Sequence, residues 1–244
     1  MEKKEDTLKK KKLKHVKVYD RIYEQIQNGT YPVGSQLPSE PALAEQMGVS
    51  RMTLRKALAL FIEEGMIKNI PGVGHFITSP DSERALDLDM SKSVHPVYSY
   101  CIDTADNTEF EFRIEPPTPS ILDTLKNYTP AVVIADRWYK KDNTPFAYSL
   151  SFLTIECIAQ KHIDLNQPDA LLTYLENGCY QEMATCHRLC SHSTSGNFTA
   201  QKYTLSGQNS FMLIQETVCD KNGHVLVFSK HYIPSELYRL EINL

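Results

Sequence analysis

Ser50-Arg51-Met52-Thr53-Leu54-Arg55-Lys56 puts two guanidiniums, an ammonium and two hydroxyls into the first turns of one predicted helix. That mixture suits nucleic acid, where lysine and hydroxyls hold phosphate and arginine can also read a guanine edge with two hydrogen bonds. Leu54, Ala57, Leu58 and Phe61 recur at helical spacing and make the opposite, buried face, so the cationic end stays free to enter a major groove. Pro71-Gly72-Val73-Gly74-His75 follows as a predicted hairpin tip. Gly72 and Gly74 let backbone approach a phosphate or groove wall closely, and His75 is a polar group within reach of phosphate.

The surrounding elements are those needed to present these groups. Ser39 stands at a predicted N-cap with Pro41 in the first turn, Ala42, Leu43 and Met47 supply the apolar spacing, and Gly48 allows the left-handed stop. Ser50 caps the next helix, which Gly65 ends. An earlier helix carries Val18, Ile22 and Ile26 with Tyr19 and Tyr23 alongside, and stops at Asn28-Gly29. Residues 67–70 and 75–78 read as two short strands. The order predicts a winged helix-turn-helix over 16–78.

Charge divides the chain the same way. Residues 1–80 hold a net +4 and residues 81–244 a net −8, within an overall −4, so the first part alone is suited to phosphate. Lys9 to Lys12 with Lys14 form a basic arm over 1–15, read either as a phosphate contact or as a solvated tail. With 244 residues, 41% of them apolar, the chain can build two cores. No apolar run approaches the ~20 residues of a membrane span and no signal peptide opens the chain, so no membrane partner and a cytoplasmic location are expected.

A linker is expected at 79–93, where Ser79-Pro80-Asp81-Ser82-Glu83 breaks the pattern, and a second domain over 94–244. There Ala131 to Tyr139 and Pro145 to Leu153 read as strands about an Asp142-Asn143 turn. Leu171 to Glu176 reads as a helix stopped by Asn177-Gly178. A strand follows around Glu182 to Ser191, then a helix over Ala200 to Leu205. Last comes a hairpin of Phe211 to Cys219 and Val225 to Ile233, turned at Asp220-Lys221-Asn222-Gly223. The expected fold class is α+β, an antiparallel sheet with helices against it.

Cys186-His187 with Cys190 and His192 could be metal or redox chemistry. The spacing matches no common structural zinc pattern, and on a strand only Cys186, Cys190 and His192 share a face, so plain packing is the reading adopted. No metal and no cofactor are expected. The six cysteines read mostly as small buried hydrophobes. No nucleophile, base and orienter stand at readable spacing, so an enzyme is not expected.

Leu37-Pro38-Ser39-Glu40, then Val49-Ser50-Arg51-x-Thr53-Leu54-Arg55-x-Ala57-Leu58, then Glu64-Gly65-x-Ile67 and Gly72-x-Gly74-x-Phe76-Ile77, resemble the GntR family of bacterial transcription regulators over roughly 16–78. The resemblance implies that the matches of Ser50, Arg51, Thr53, Arg55 and Gly74 approach double-stranded operator DNA. Ser39, Lys56, Gly72 and His75 complete the expected DNA-facing set. The family's arginine after Ser-Glu is replaced by Pro41.

The second half resembles the UTRA ligand-binding domain of the HutC-type branch, which shares the fold of chorismate lyase, on Arg137 to Pro145, Leu171-x-x-x-Leu175, and Asp220-x-x-Gly223 leading to Ser229-x-x-Tyr232. The resemblance implies a homodimer, repressing in family habit, with a small-molecule effector held where the hairpin strands meet. Carried over residue by residue, Arg137 and Tyr232 match the branch's pocket, whereas Tyr139 replaces a basic residue, Ser149 and Leu226 replace carboxylates, and Ala170 replaces a serine. The expected effector contacts are Arg137, Tyr139, Ser149, Ser151 and Tyr232, with Tyr148 and Phe152 nearby. Two lost carboxylates argue against an amino sugar and for a less polar or partly aromatic anion, within a range from sugar phosphate to organic or aromatic acid. Arg137 reads equally as a structural partner of a carboxylate such as Asp136 or Glu216. A constitutive DNA binder whose second domain only dimerises stays open beside this reading, as does an enzyme of lyase-like fold.

Overall fold

A computed structural model describes residues 13–78 and 95–240. The arm lysines Lys9 to Lys12 and the expected linker over 79–93 lie outside the described residues. Chain contacts divide the protein into two compact units, Met1–Ala85 and Leu86–Leu244.

In the first unit α1 (Lys14–Gln27), α2 (Glu40–Met47) and α3 (Arg51–Glu63) precede an antiparallel pair, β1 (Ile67–Ile70) and β2 (Gly74–Ile77). Helical spacing explains the core: Val18, Tyr19, Ile22 and Tyr23 from α1 meet Leu54, Ala57, Leu58 and Phe61 from α3, and the Tyr19 and Phe61 rings stack at 4.2 Å. In α2 the buried residues are Leu43, Ala44 and Met47, while Ala42 of the expected stripe is exposed. Gly48, at φ 65°, takes the left-handed turn that reverses the chain into α3. Ser50 caps α3 by accepting from the Thr53 amide at 3.2 Å, whereas Ser39 stands at the α2 N-cap without a side-chain cap bond. The fold of this unit is a winged helix-turn-helix.

The second unit is α+β. Its helices are α4 (Pro96–Tyr100), α5 (Pro119–Leu125), α6 (Ile155–Gln160), α7 (Pro168–Thr173), α8 (Cys179–Gln181) and α9 (Gly196–Ala200). Its strands are β3 (Asn107–Glu115), β4 (Val132–Lys141), β5 (Thr144–Thr154), β6 (Thr185–Ser193), β7 (Phe211–Cys219) and β8 (Val225–Pro234). They form one antiparallel sheet ordered β3-β4-β5-β8-β7-β6. One face carries Trp138, Tyr148, Phe211, Leu213 and Tyr232. On the other, Val133, Ala135, Leu153 and Val227 pack beneath Cys157 and Ile158 of α6 and Leu171 of α7.

Two sequence expectations are corrected here, and one strand is new. The helix expected to stop at Asn177-Gly178 runs on: Tyr174–Gly178 is a single π-turn joining α7 to α8. Gly178 serves close packing there, since a Cβ would fall 2.8 Å from the Tyr174 ring. The helix expected over Ala200 to Leu205 lies instead at Gly196–Ala200 and ends where Gln201 turns to φ 54°. Edge strand β3 was not anticipated, although Phe110, Phe112 and Ile114 alternate with charge in the manner of a half-buried strand.

Candidate functional sites in the two units

In the first unit the expected DNA-facing groups gather at one end of α3 and on the wing. Ser39, Ser50, Arg51 and Arg55 are exposed, and Thr53 and Lys56 are half-buried beside them. The wing turn needs both its glycines. Gly72 sits at φ 76° and Gly74 at φ 137°, and a Cβ on Gly74 would fall 2.7 Å from the Gln36 amide nitrogen, which donates to the Val73 carbonyl at 2.7 Å.

Glu40 links helix to wing. Arg55 Nε donates to Glu40 Oε2 at 2.7 Å, and His75 Nε2 lies 3.4 Å from Glu40 Oε1. Burial works to raise the Glu40 pKa, but its bonds with Arg55 and His75 outweigh this and hold it below its ordinary value. Because Glu40 takes only Nε, the outer nitrogens of Arg55 project from a side chain that is 60% exposed. His75 faces inward to Glu40, with a side chain only 11% exposed, rather than standing at the tip as a free phosphate contact. Sequence reasoning placed Lys14 in the basic arm but did not join it to Lys17 and Arg21. Lys14, Lys17 and Arg21, at i, i+3 and i+7 on α1, border a cleft of about 600 Å³ that reaches the turn at Gly48 and Ser50.

A family model for bacterial regulatory proteins of the gntR family matches residues 14–77. The N-terminal unit belongs to the gntR family. It is 39% identical over 72 residues to the HTH-type transcriptional repressor NagR of Bacillus subtilis, covering 30% of this chain and 30% of that protein. Over a further 72-residue alignment it is 38% identical to the histidine utilization repressor of Pseudomonas aeruginosa, covering 30% and 29%. The match thus spans under a third of each relative's length. PhnF of Mycobacterium smegmatis is similar over 95% of this chain and 99% of its own, at 12% identity and a TM-score of 0.47, too slight a likeness to carry an argument.

The second unit has a polar band on the helix-facing side of its sheet. Cross-strand register generates it: Ala135, Ser151, Ser229, Glu216 and Arg188 stand opposite one another in one row, and Arg137, Ser149 and His231 in the next. Ser151 and Ser229 bond at 2.7 Å, as do Ser149 and His231 Nδ1. Arg137, 1% exposed, places Nη2 2.6 Å from Ser151 Oγ and Nη1 2.7 Å from Glu176 Oε1, a carboxylate carried by the π-turn. Tyr139 OH donates to the same oxygen at 2.9 Å, and His95 Nε2 lies 3.9 Å from it. π-turns are rare and concentrate at functional positions, which fits the placement of Glu176.

Of the expected effector residues, the structure brings together Arg137, Tyr139, Ser149 and Ser151. Tyr232 does not join them. It stands opposite Tyr148, whose side chain alternates away from Ser149, so both tyrosines pack with Trp138 on the other face. The partner of Arg137 is Glu176 rather than Asp136 or Glu216. Asp136 pairs with Arg113 and accepts from Tyr148 OH at 2.5 Å. Glu216 accepts from Arg188 Nε and Tyr180 OH, each at 2.5 Å, with His231 Nε2 at 3.6 Å. His95, Glu176, Arg188 and His231 are the members that sequence reasoning missed, and Glu216, which it named as a partner for Arg137, pairs with Arg188 instead. Cys186 lies 3.6 Å from Glu216 Oε2, Cys190 is exposed, and no metal-holding group of three or more His, Cys, Asp or Glu occurs among the described residues.

Burial sets the protonation of this band. It pushes His95 well below its ordinary pKa, helped by the nearby His231 and Arg137, and lowers His231 in spite of Glu216. Burial raises Tyr139 well above the phenol range. Burial would also raise Glu216, but the His231 contact and the Arg188 charge prevail and keep it ionised. A pH dependence follows. The unfolded chain protonates both histidines below about pH 6.5 and the folded one does not, so stability is lost as pH falls through that value. The expected slope approaches about 1.4 kcal/mol per pH unit for each ring. Urea midpoints taken from pH 8 to 5, read from the fluorescence of the single tryptophan Trp138, should fall steadily below pH 6.5; a flat profile would contradict neutral burial.

Proposed function

We propose that the protein is a DNA-binding transcription repressor whose operator affinity is set by a small anionic metabolite held in the second unit. The carrying observation is the exposed cationic start of α3, with Arg51 and Arg55 beside a glycine-tipped wing, in a gntR-family domain. The names of NagR and the histidine utilization repressor, both repressors, support the same direction. In this reading two chains form a homodimer and set their α3 helices into successive major grooves about 34 Å apart, with Lys14, Lys17 and Arg21 toward phosphate. The linker over 79–93 joins the DNA head to an effector-binding and dimerising domain. Among the described residues no helix is long and apolar enough to cross a membrane, which accords with a place beside DNA.

The effector set is Arg137, Tyr139, Ser149 and Ser151, now joined by His95. A buried guanidinium flanked by hydroxyls suits a carboxylate or phosphate carried on a small, partly apolar body. A second reading, a constitutive binder with a dimerising second unit, draws support from the Arg137–Glu176 pair, which already satisfies the guanidinium. Fluorescence anisotropy on a labelled duplex from the gene's own upstream region, with sugar phosphates, organic acids and aromatic acids added in turn, separates the two. One compound that shifts the midpoint supports effector control. Tight binding that none of them moves supports the constitutive reading.

A further inference from the structure

Two donors of β4 converge on one carboxylate oxygen in the second unit, and a third, from the entry to α4, stands beside them. Arg137 Nη1 at 2.7 Å and Tyr139 OH at 2.9 Å both point at Glu176 Oε1. The third is His95: its Nδ1 accepts from the Val97 amide at 3.3 Å, so the neutral ring carries its proton on Nε2, which lies 3.1 Å from Tyr139 OH and 3.9 Å from Glu176 Oε1. All three side chains are buried to within about 1% of full exclusion. This arrangement has the make-up of an anion site, with cationic and neutral donors fixed by a sheet and by a short helix entry and shielded from water.

The fit to Glu176 is incomplete. Arg137 Nε and Glu176 Oε2 are both buried and without a hydrogen-bond partner, and His95 Nε2 sits 3.2 Å from Arg137 Nη1, donor against donor. The cluster has more donor capacity than the single oxygen of Glu176 can accept. A tetrahedral phosphate or a freely placed carboxylate could take the Nε edge of the guanidinium, which Glu176, bonded at Nη1, leaves open.

We propose that Glu176 is an intramolecular stand-in for the anionic group of the effector, and that the effector binds by displacing it from Arg137, Tyr139 and His95. This rests on the reading of the second unit as an effector domain. The π-turn provides the means of release. Returning Tyr174–Gly178 to regular α-geometry would shift the helix register there by one residue and turn Glu176 by about 100° about the helix axis, out of its present line with Arg137. Anion binding and relaxation of the helix are then one event, and the altered helix is what the rest of the chain senses.

Thermal unfolding of the full chain, followed by Trp138 fluorescence so that only the second unit reports, tests this with sodium acetate and inorganic phosphate against sodium chloride at matched ionic strength. Glu176→Gln frees the donors without changing side-chain size. Its midpoint should rise with acetate or phosphate, half-saturating at a concentration at least tenfold lower than in the unsubstituted protein. The double variant Arg137→Met/Glu176→Met, which removes both charges together, should show no anion-specific rise. A response to acetate alone assigns a carboxylate, and a response to phosphate alone a phosphoryl group.

Should Glu176→Gln fail to fold without anion, restoration of its Trp138 signal by either anion but not by chloride supports the displacement. Failure of both anions to restore it while the double variant folds contradicts it. A Glu176→Gln protein that responds no more than the unsubstituted one also overturns it. Operator binding measured in parallel keeps the two proposals apart: an anion response that leaves DNA affinity unmoved upholds the seat and rejects the regulatory reading alone.

Discussion

Glu216→Ala is expected to destabilise the second unit by about 3 to 5 kcal/mol, the cost of leaving a buried charge without its partner. Glu216 is 1% exposed at the middle of β7, and its two oxygens accept from Arg188 Nε and Tyr180 OH at 2.5 Å each. Without the carboxylate, the Arg188 guanidinium keeps Tyr100 OH at 3.0 Å as its hydrogen-bond partner within the band, in a side chain 8% exposed. His231 loses its neighbouring acceptor at the same time. Urea titration read at Trp138 measures the loss. The pair Glu216→Met/Arg188→Met, which removes both charges, should recover most of it, because an apolar pair of similar volume needs no hydration. A loss below about 1 kcal/mol in Glu216→Ala would show that the ion pair is not a fixed part of the folded state.

Arg51→Ala is expected to weaken binding to the specific operator by about 1 to 3 kcal/mol, roughly 5- to 150-fold, while changing affinity for unrelated duplex much less. Arg51 opens α3 and is exposed beside the Ser50 cap, where the helix end meets a groove. Arg55→Ala should cost a similar amount for two reasons. It removes a second reader, and it strips Glu40 of its 2.7 Å partner, leaving a carboxylate facing phosphates. Glu40→Gln separates these effects, since it frees Arg55 without deleting it. Competition titrations with operator and scrambled DNA measure all three variants. An equal loss on both duplexes would assign Arg51 to phosphate rather than to bases.

The first unit was almost fully legible because its signals are local. Ser50 before an apolar stripe, Gly48 and Gly65 after one, and Gly72-x-Gly74 at a tip each specify a conformation within a few residues. The main surprise there, the inward turn of His75, depends on Glu40 thirty-five positions away. In the second unit the hairpins β4-β5 and β7-β8 were legible from alternation and their turns, but the polar band was not. It exists only where register sets Glu216 against both Arg188 and Ser229, and Ser149 against His231, relations between distant strands. Glu176 was hidden for another reason: Asn177-Gly178 imitates a helix stop, and only the contact of Gly178 with Tyr174 shows that the glycine serves packing. Tyr232 could have been placed better. Tyr148 and Ser149 are neighbours on one strand and so face opposite ways, which already separates the tyrosines from the Arg137 cluster.

The most direct test of the account is the affinity of the purified full chain for a labelled duplex from its own upstream region, compared with a scrambled duplex across a salt series. The account predicts at least about 10³-fold preference for the upstream duplex at moderate salt, and affinities that fall steeply as salt rises because lysine and arginine release counterions from phosphate. Equal affinity for the two duplexes, or no binding to either, would contradict a sequence-reading repressor.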